Sequence, residues 1–177
     1  MPLFWVALIG NFILFFVAQN VALKGNNNTA LPLLTAYSLI TGFTLSGIVA
    51  YAVSAAGVGA IGTATLATGI TFVVASVVGR RMSDNIGQAL SGVVGLGILS
   101  LLIAMVVQII GGIFAPGVFS GGTFELLIAG FGTVLFVGAA FVDFYTMPRT
   151  YSDDQYLAGA LGMYLTYINL FIFILRL

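Results

Sequence analysis

Six apolar runs, each long enough to cross a bilayer, follow one another along this chain with only short polar breaks between them. They fall near 3–23, 31–54, 58–79, 88–112, 123–146 and 156–177. A hydrocarbon core ~30 Å thick is spanned by about 20 helical residues, and every run supplies that length. Backbone groups in lipid must be satisfied within a helix or a closed barrel, and none of the runs alternates as barrel strands do. The pattern predicts an all-α fold: a polytopic transmembrane helical bundle of six spans, one integral membrane domain over 1–177 with the lipid bilayer as its solvent. Composition leaves no other class open. Only 6% of the residues are charged, against about 25% in soluble domains, so no water-facing surface can be built all round.

The breaks are "KGNNNTA" (24–30), a weak glycine turn at "AAGVGA" (55–60), "RRMSDNIG" (80–87), "FAPGVFSGG" (114–122) and "PRTYSDDQ" (148–155). No proline lies well inside a predicted span, so proline-broken helices are not expected. The opening "MPLFWVALIGNFILFFVAQNVAL" has neither a basic n-region nor a small-residue cleavage site, and reads as a retained span. Lys24, Arg80, Arg81 and Arg149 all fall on one side of the membrane, and only Arg176 on the other. The positive-inside rule makes the first group cytoplasmic and puts both termini on the non-cytoplasmic side. Low charge and minimal loops point to a prokaryotic plasma membrane.

Charge and residue content exclude several functions. Five basic and five acidic side chains balance to zero net charge, with no basic tract to neutralise phosphates, so nucleic acid is not an expected partner. There is no Cys and no His, which removes thiol chemistry, His- or Cys-held metals and the usual general base. No cofactor, metal or catalytic residue is expected. An intramembrane hydrolase lacks its residues, and the chain is read as a non-enzyme.

The polar residues inside the spans carry the remaining information. Asp143 lies about three residues inside the predicted end of span five. An ionisable group within a span is a functional candidate by default; the alternative is an interfacial aspartate that reaches the headgroups or pairs with Arg149. Glu125 and Asp143 are separated by five whole helical turns, ~27 Å, so they share one face near opposite membrane surfaces. Ala129, Gly132, Phe136 and Ala139 lie between them. An acid at each mouth of a small-residue seam is what a cation path needs, and also what two unrelated interfacial acids look like. On span six, Gly159, Gly162, Thr166 and Asn169 form one small and polar face, continued by Phe173 and Arg176. That face reads as interhelical hydrogen bonding or as one wall of a polar cavity facing Asp143, with Tyr164 beside it. Asn11 in mid-span and Gln19 and Asn20 near the end of span one are further polar positions, with packing or lining as their readings. Gly42 with Ser46, Ser91 with Gly95, and Gly159 with Gly162 have the spacing that lets helices approach closely.

The last span, "YLTYINLFIFILRL" (164–177), resembles the Bax inhibitor-1 family, whose final helix carries a Leu-Tyr-Leu-Asp-Phe-Ile-Asn-Leu-Phe type motif. "ITGFTLSGIVAYAV" (40–53) is similar to that family's Gly-x-Thr-Leu segment, and "GTVLFVGAAFVDFYTM" (132–147) to its penultimate helix. The resemblance covers roughly residues 30–177 and implies a seven-helix fold of which this chain carries the last six. It further implies a pH-sensitive calcium leak channel, closed on the cytoplasmic side by a pair of aspartates on the last two helices that engage a basic residue of an earlier helix. Asp143 matches the first aspartate, but Thr166 stands where the second belongs. The first span also lacks the family's charged residues. Two carboxylates sharing a site titrate as a coupled pair, and one carboxylate opposite a hydroxyl cannot. The resemblance therefore implies a cation pathway, for calcium or another cation, with a weakened or lost pH latch. It would use Asp143 at the constriction, Thr166 and Asn169 along it, and Glu125 at the outer mouth. Asn11, Asn20 and Tyr164 would add polar lining. The missing latch charges and first helix keep a second class open, a non-conducting structural or regulatory subunit with other membrane subunits as partners.

Overall fold

In the computed structural model, which describes residues 2–115, 117 and 122–177, six long helices account for nearly all of the described chain. They are α1 (Pro2–Leu23), α2 (Asn27–Ala56), α3 (Val58–Arg81), α4 (Asp84–Phe114), α5 (Gly122–Thr150) and α6 (Tyr156–Leu175), and no strand occurs among the described residues. Five of them, α2 to α6, are long and apolar enough to cross a membrane; the apolar part of α1 among the described residues, Ile9–Leu23, is shorter. The chain is an integral membrane protein. Most of the break predicted over 114–122 lies outside the described residues.

The helices run further into the breaks than the hydropathy predicts, and at the start of α2 a side-chain cap sets the end. α2 starts at Asn27, four residues before the apolar run, since the Asn26 side chain accepts a hydrogen bond from the Thr29 amide (3.3 Å). This places Pro32 inside the helix, where the carbonyl it deprives belongs to Asn28 in the exposed first turn. α5 likewise continues through Pro148 to Thr150. The glycine turn at 55–60 shrinks to one residue, Gly57, whose φ of 81° only glycine adopts readily. The break at 80–87 shrinks to Met82 and Ser83.

α5 and α6 form the centre of the bundle. α5 packs on α3, α4 and α6, and α6 packs on α1, α2, α3 and α5, whereas the main packing of α4 is on α5 alone. One buried cluster joins α4, α5 and α6 through Val94, Leu101, Leu135, Phe136, Leu170 and Phe173. Two smaller ones join α1, α2 and α6 around Ala22, Ala30 and Ala158, and around Ala18, Tyr37 and Leu161. Alanine recurs throughout the buried set, while Leu, Ile, Val and Phe crowd the exposed faces, as on α4 from Leu96 to Phe114. Lipid is as apolar as a leucine core, so helices here gain by close backbone approach and not by hiding apolar area.

Glycine makes the closest approaches, but not the glycines picked out by spacing. A Cβ on Gly79 would stand 2.7 Å from the Phe141 carbonyl oxygen, and one on Gly138 would stand 3.1 Å from Val94. Gly87, Gly97 and Gly132 are filled against by Tyr145, Leu135 and Phe173. Gly42, Gly95 and Gly162 face open space; of the predicted pairs only Gly159 packs, against Met147 and Tyr151. The i, i+4 rule identifies small residues but not which face a neighbour occupies.

The α1–α2, α3–α4 and α5–α6 connections gather at one end. Gln155 Nε2 donates to the Leu23 carbonyl (2.7 Å) and Asn27 Nδ2 to the Asp154 carbonyl (3.1 Å), and Arg149 Nη2 donates to the Met82 carbonyl (3.2 Å). A single 3₁₀ turn, Asp153–Gln155, shapes the last connection, with Ser152 and Gln155 in a reciprocal capping box. Lys24, Arg80, Arg81 and Arg149 therefore share one end of the molecule, as the charge count required.

Candidate functional site

The two faces singled out in the sequence meet. α5 and α6 lie antiparallel, and their seam runs from Glu125 against Arg176, through Gly132 and Phe136 against Phe173, to Asp143 against Thr166 and Met147 against Gly159. Ala129 and Ala139 are buried along it. Gly132 and Gly159 are the small residues at which the two helices approach, and the polar pair lies in the same seam.

Asp143 is deeper in its helix than the sequence implies. Because α5 continues to Thr150, Asp143 lies about two turns, ~10 Å, from the helix end. Thr166, 7% exposed, presents its hydroxyl to the Asp143 side chain. The Oδ2 atom of Asp143 is buried with no hydrogen-bond partner among the described residues. The pairing with Arg149 does not occur. Arg149 Nε binds Asp84 Oδ1 at 3.1 Å, its guanidinium covers the Tyr145 ring at 4.2 Å, and Nη1 donates to the Tyr145 carbonyl at 2.8 Å. Tyr145 Oη reaches the same Asp84 carboxylate at 3.3 Å. Arg149 is one turn beyond Tyr145 and points to α4, away from the α6 seam. Asp143 has no cation within ion-pair distance among the described residues.

The seam between Glu125 and Asp143 is closed. Phe136 and Phe173 stack with centroids 5.5 Å apart and planes 19° from parallel, a contact contributing about 0.5–1.5 kcal/mol beyond its area. Glu125 itself is ion-paired to Arg176 Nη2 at 2.9 Å. The acids at the two ends of the seam thus differ: one is neutralised by a partner, the other is not.

The other predicted polar positions do not converge on Asp143. Asn169 Nδ2 donates to the Leu165 carbonyl of its own helix (2.9 Å). Tyr164 packs edge-on against Tyr37, with centroids 5.9 Å apart. Asn11 Nδ2 donates to Thr41 Oγ1 at 2.9 Å, linking α1 to α2, and Asn20 is exposed. Asn11, Tyr37 and Leu165 border a cleft of about 420 Å³ whose remaining wall is Ile9 and phenylalanines 12, 15 and 16. Asp84 and Arg149 were not singled out from the sequence as a pair; the usable signal was an acidic first turn on α4 opposite a basic last turn on α5. Three or more His, Cys, Asp or Glu side chains do not cluster anywhere among the described residues, so no metal centre built only of such groups is present there.

Comparison with known proteins places this arrangement. The profile of the family described as "Inhibitor of apoptosis-promoting Bax1" matches residues 1–177. A protein of Streptococcus pyogenes serotype M1, described as an uncharacterized membrane protein, is 30% identical over 190 residues, covering 99% of this chain and 73% of its own length. The protein YrjE of Lactococcus lactis is 28% identical over 182 residues, covering 98% of this chain and 71% of its own. The Bax inhibitor 1 of Schizosaccharomyces pombe is 40% identical over 53 residues, which is 30% of this chain and 20% of that protein.

Proposed function

This chain belongs to the family of inhibitors of apoptosis-promoting Bax1, and we propose that within it the chain is a membrane leak pathway for cations, calcium among them, and not an enzyme. The observation that carries the reading is Asp143: a carboxylate inside the bundle with a buried, unpartnered Oδ2, a hydroxyl opposite and no counter-charge. Taking an unpaired charge out of water is costly, and a bound cation offsets that cost. Thr166 supplies a second oxygen to the same point. The hard cation that uses such oxygens is one that accepts carboxylate, hydroxyl and water together.

The structure is that of a closed pathway under this reading. The Phe136–Phe173 stack and the alanines of the α5–α6 seam separate Asp143 from Glu125. Conduction requires α5 and α6 to part at the stack, while Asp143 holds the ion near the end that bears Lys24, Arg80, Arg81 and Arg149. We assign that end to the cytoplasm by its positive charge and both termini to the opposite side, in the plasma membrane of a prokaryote. With one carboxylate opposite a hydroxyl, no proton-sharing pair is available, so gating by a di-aspartyl pH latch is not part of the mechanism. Reconstituted into liposomes loaded with a calcium dye, the protein should leak calcium, and Asp143→Asn should abolish the leak. An unchanged leak in the variant overturns the assignment.

The closed seam favours one second reading, a non-conducting subunit of a larger membrane assembly. It predicts no leak from the purified chain alone, and co-purification with fixed stoichiometric partners from native membrane.

A further inference from the structure

Arg80 ends α3 beside Gly79, a glycine that packs directly on the backbone of α5. Gly79 brings the α3 backbone against Phe141 and Phe144, and this fixes where the next side chain goes. The Arg80 guanidinium lies over the Phe144 ring, 5.7 Å from its centroid. It makes no ion pair among the described residues, although Arg149 and Arg176 both do. One face of the guanidinium is thus held by an aromatic ring, and its N–H donors remain for something outside the protein.

The space in front of it is a cleft of about 330 Å³ between the end of α3 and the α5–α6 connection. Its floor is apolar, made of Phe144, Met147 and Pro148. Tyr151, Ser152, Asp153 and Tyr156 complete its lining. Asp153 lies in the 3₁₀ turn held by the capping box, is exposed and forms no ion pair with Arg80. A cation and an anion therefore border one small cleft without neutralising each other, at the end of the bundle where the helices leave the hydrocarbon. Tyrosines at that level are the ordinary companions of lipid headgroups.

We propose that this cleft binds the headgroup of an aminophospholipid, a phosphodiester joined by a short linker to a primary ammonium. The phosphate accepts from the Arg80 guanidinium, which matches phosphate oxygens in a planar fork. The ammonium donates to the Asp153 carboxylate, and its acyl chains descend over the apolar floor. A purely anionic headgroup satisfies Arg80 but is repelled by Asp153. A choline headgroup carries the positive charge but has no N–H to donate. The complementarity is to the zwitterion and not to negative charge alone, which distinguishes this cleft from the general attraction of juxtamembrane basic residues to acidic bilayers.

The test uses the full chain in mild detergent, titrated with short-chain phosphatidylethanolamine, phosphatidylcholine or phosphatidylglycerol, with bound lipid counted by native mass spectrometry. Phosphatidylethanolamine should bind about tenfold more tightly than the other two. Arg80→Gln should remove that binding, and Asp153→Asn should remove the preference over phosphatidylglycerol while leaving phosphate-dependent binding in place. Arg81→Gln, one residue away and outside the cleft, should leave binding unchanged. Equal binding of all three lipids overturns the proposal, as does a preference that survives both Arg80→Gln and Asp153→Asn. Loss of binding in Arg81→Gln as large as in Arg80→Gln also overturns it, because it marks unspecific attraction to a basic surface. The two side chains are exposed, so neither variant threatens folding.

Discussion

The two ends of α5 and its interior treat negative charge in opposite ways. At one end Glu125 meets Arg176 at 2.9 Å, and at the other Arg149 meets Asp84 at 3.1 Å. Both pairs are partly exposed and each ties a neighbouring helix, α6 or α4, to α5. Between them Asp143 faces a threonine and, among the described residues, no cation, with one oxygen buried and unpartnered. The charges at the ends are paired across helices and reach water, whereas Asp143 has only a hydroxyl beside it. An unpaired charge inside a bundle costs stability, which marks Asp143 off from the paired ends.

The largest expected effect is at the interior. Asp143→Asn keeps the shape and removes the charge, so calcium leak should fall at least about tenfold, equivalent to ~1.4 kcal/mol in the rate-limiting barrier. Its thermal midpoint should stay level or rise, since an unpaired charge has been removed from the bundle. A variant that loses both flux and stability would show that Asp143 assembles the bundle after all, and the contrast would collapse. Thr166→Asp sharpens it from the other side. It sets a second carboxylate opposite the first, and the pair should share a proton, so that the pH profile of flux changes from that of one carboxylate to that of a coupled pair. Parent and variant profiles of the same shape between pH 5 and 8 would mean that the two positions are not coupled.

The seam that carries these predictions was legible in the sequence. Apolar run length predicted the number and order of the helices, the spacing on the last helix offered one small and polar face, and the family resemblance set Thr166 opposite Asp143, where the structure has it. The four cations of the connections also fell at one end, because loops between antiparallel helices alternate sides. What was not legible depends on rotation about each helix axis. Asn169, Tyr164 and Asn11 share the polarity of a lining residue, yet each finds a partner elsewhere: its own backbone, Tyr37 and Thr41. Hydropathy cannot rank these faces, since lipid and protein neighbours are equally apolar. Helix ends were misplaced for a related reason. The Asn26 cap and the tolerance of Pro148 in a last turn are local polar effects that a hydrophobicity window averages away. The depth of Asp143 followed from that error.

The paired ends should yield smaller effects than the interior, and unequal ones. Arg149 has three contacts besides its ion pair with Asp84: the Tyr145 ring and the carbonyls of Tyr145 and Met82. Arg149→Gln should lower stability by about 1 kcal/mol, with the cation–π and backbone contacts contributing more than the screened ion pair. Because α4 leans chiefly on α5, the loss should show as faster amide exchange in the first turns of α4 before any other helix. Among the described residues the Arg176 side chain bonds only Glu125, so Arg176→Gln should cost no more than about 0.5 kcal/mol. The double variant Glu125→Gln/Arg176→Gln should be no worse than either single one, the coupling that a lone exposed pair produces. Its calcium leak should match the parent's. If opening that pair raises the leak instead, the Glu125 end is a gate and not a tie, and the division between assembling ends and a working interior has to be redrawn to include Glu125.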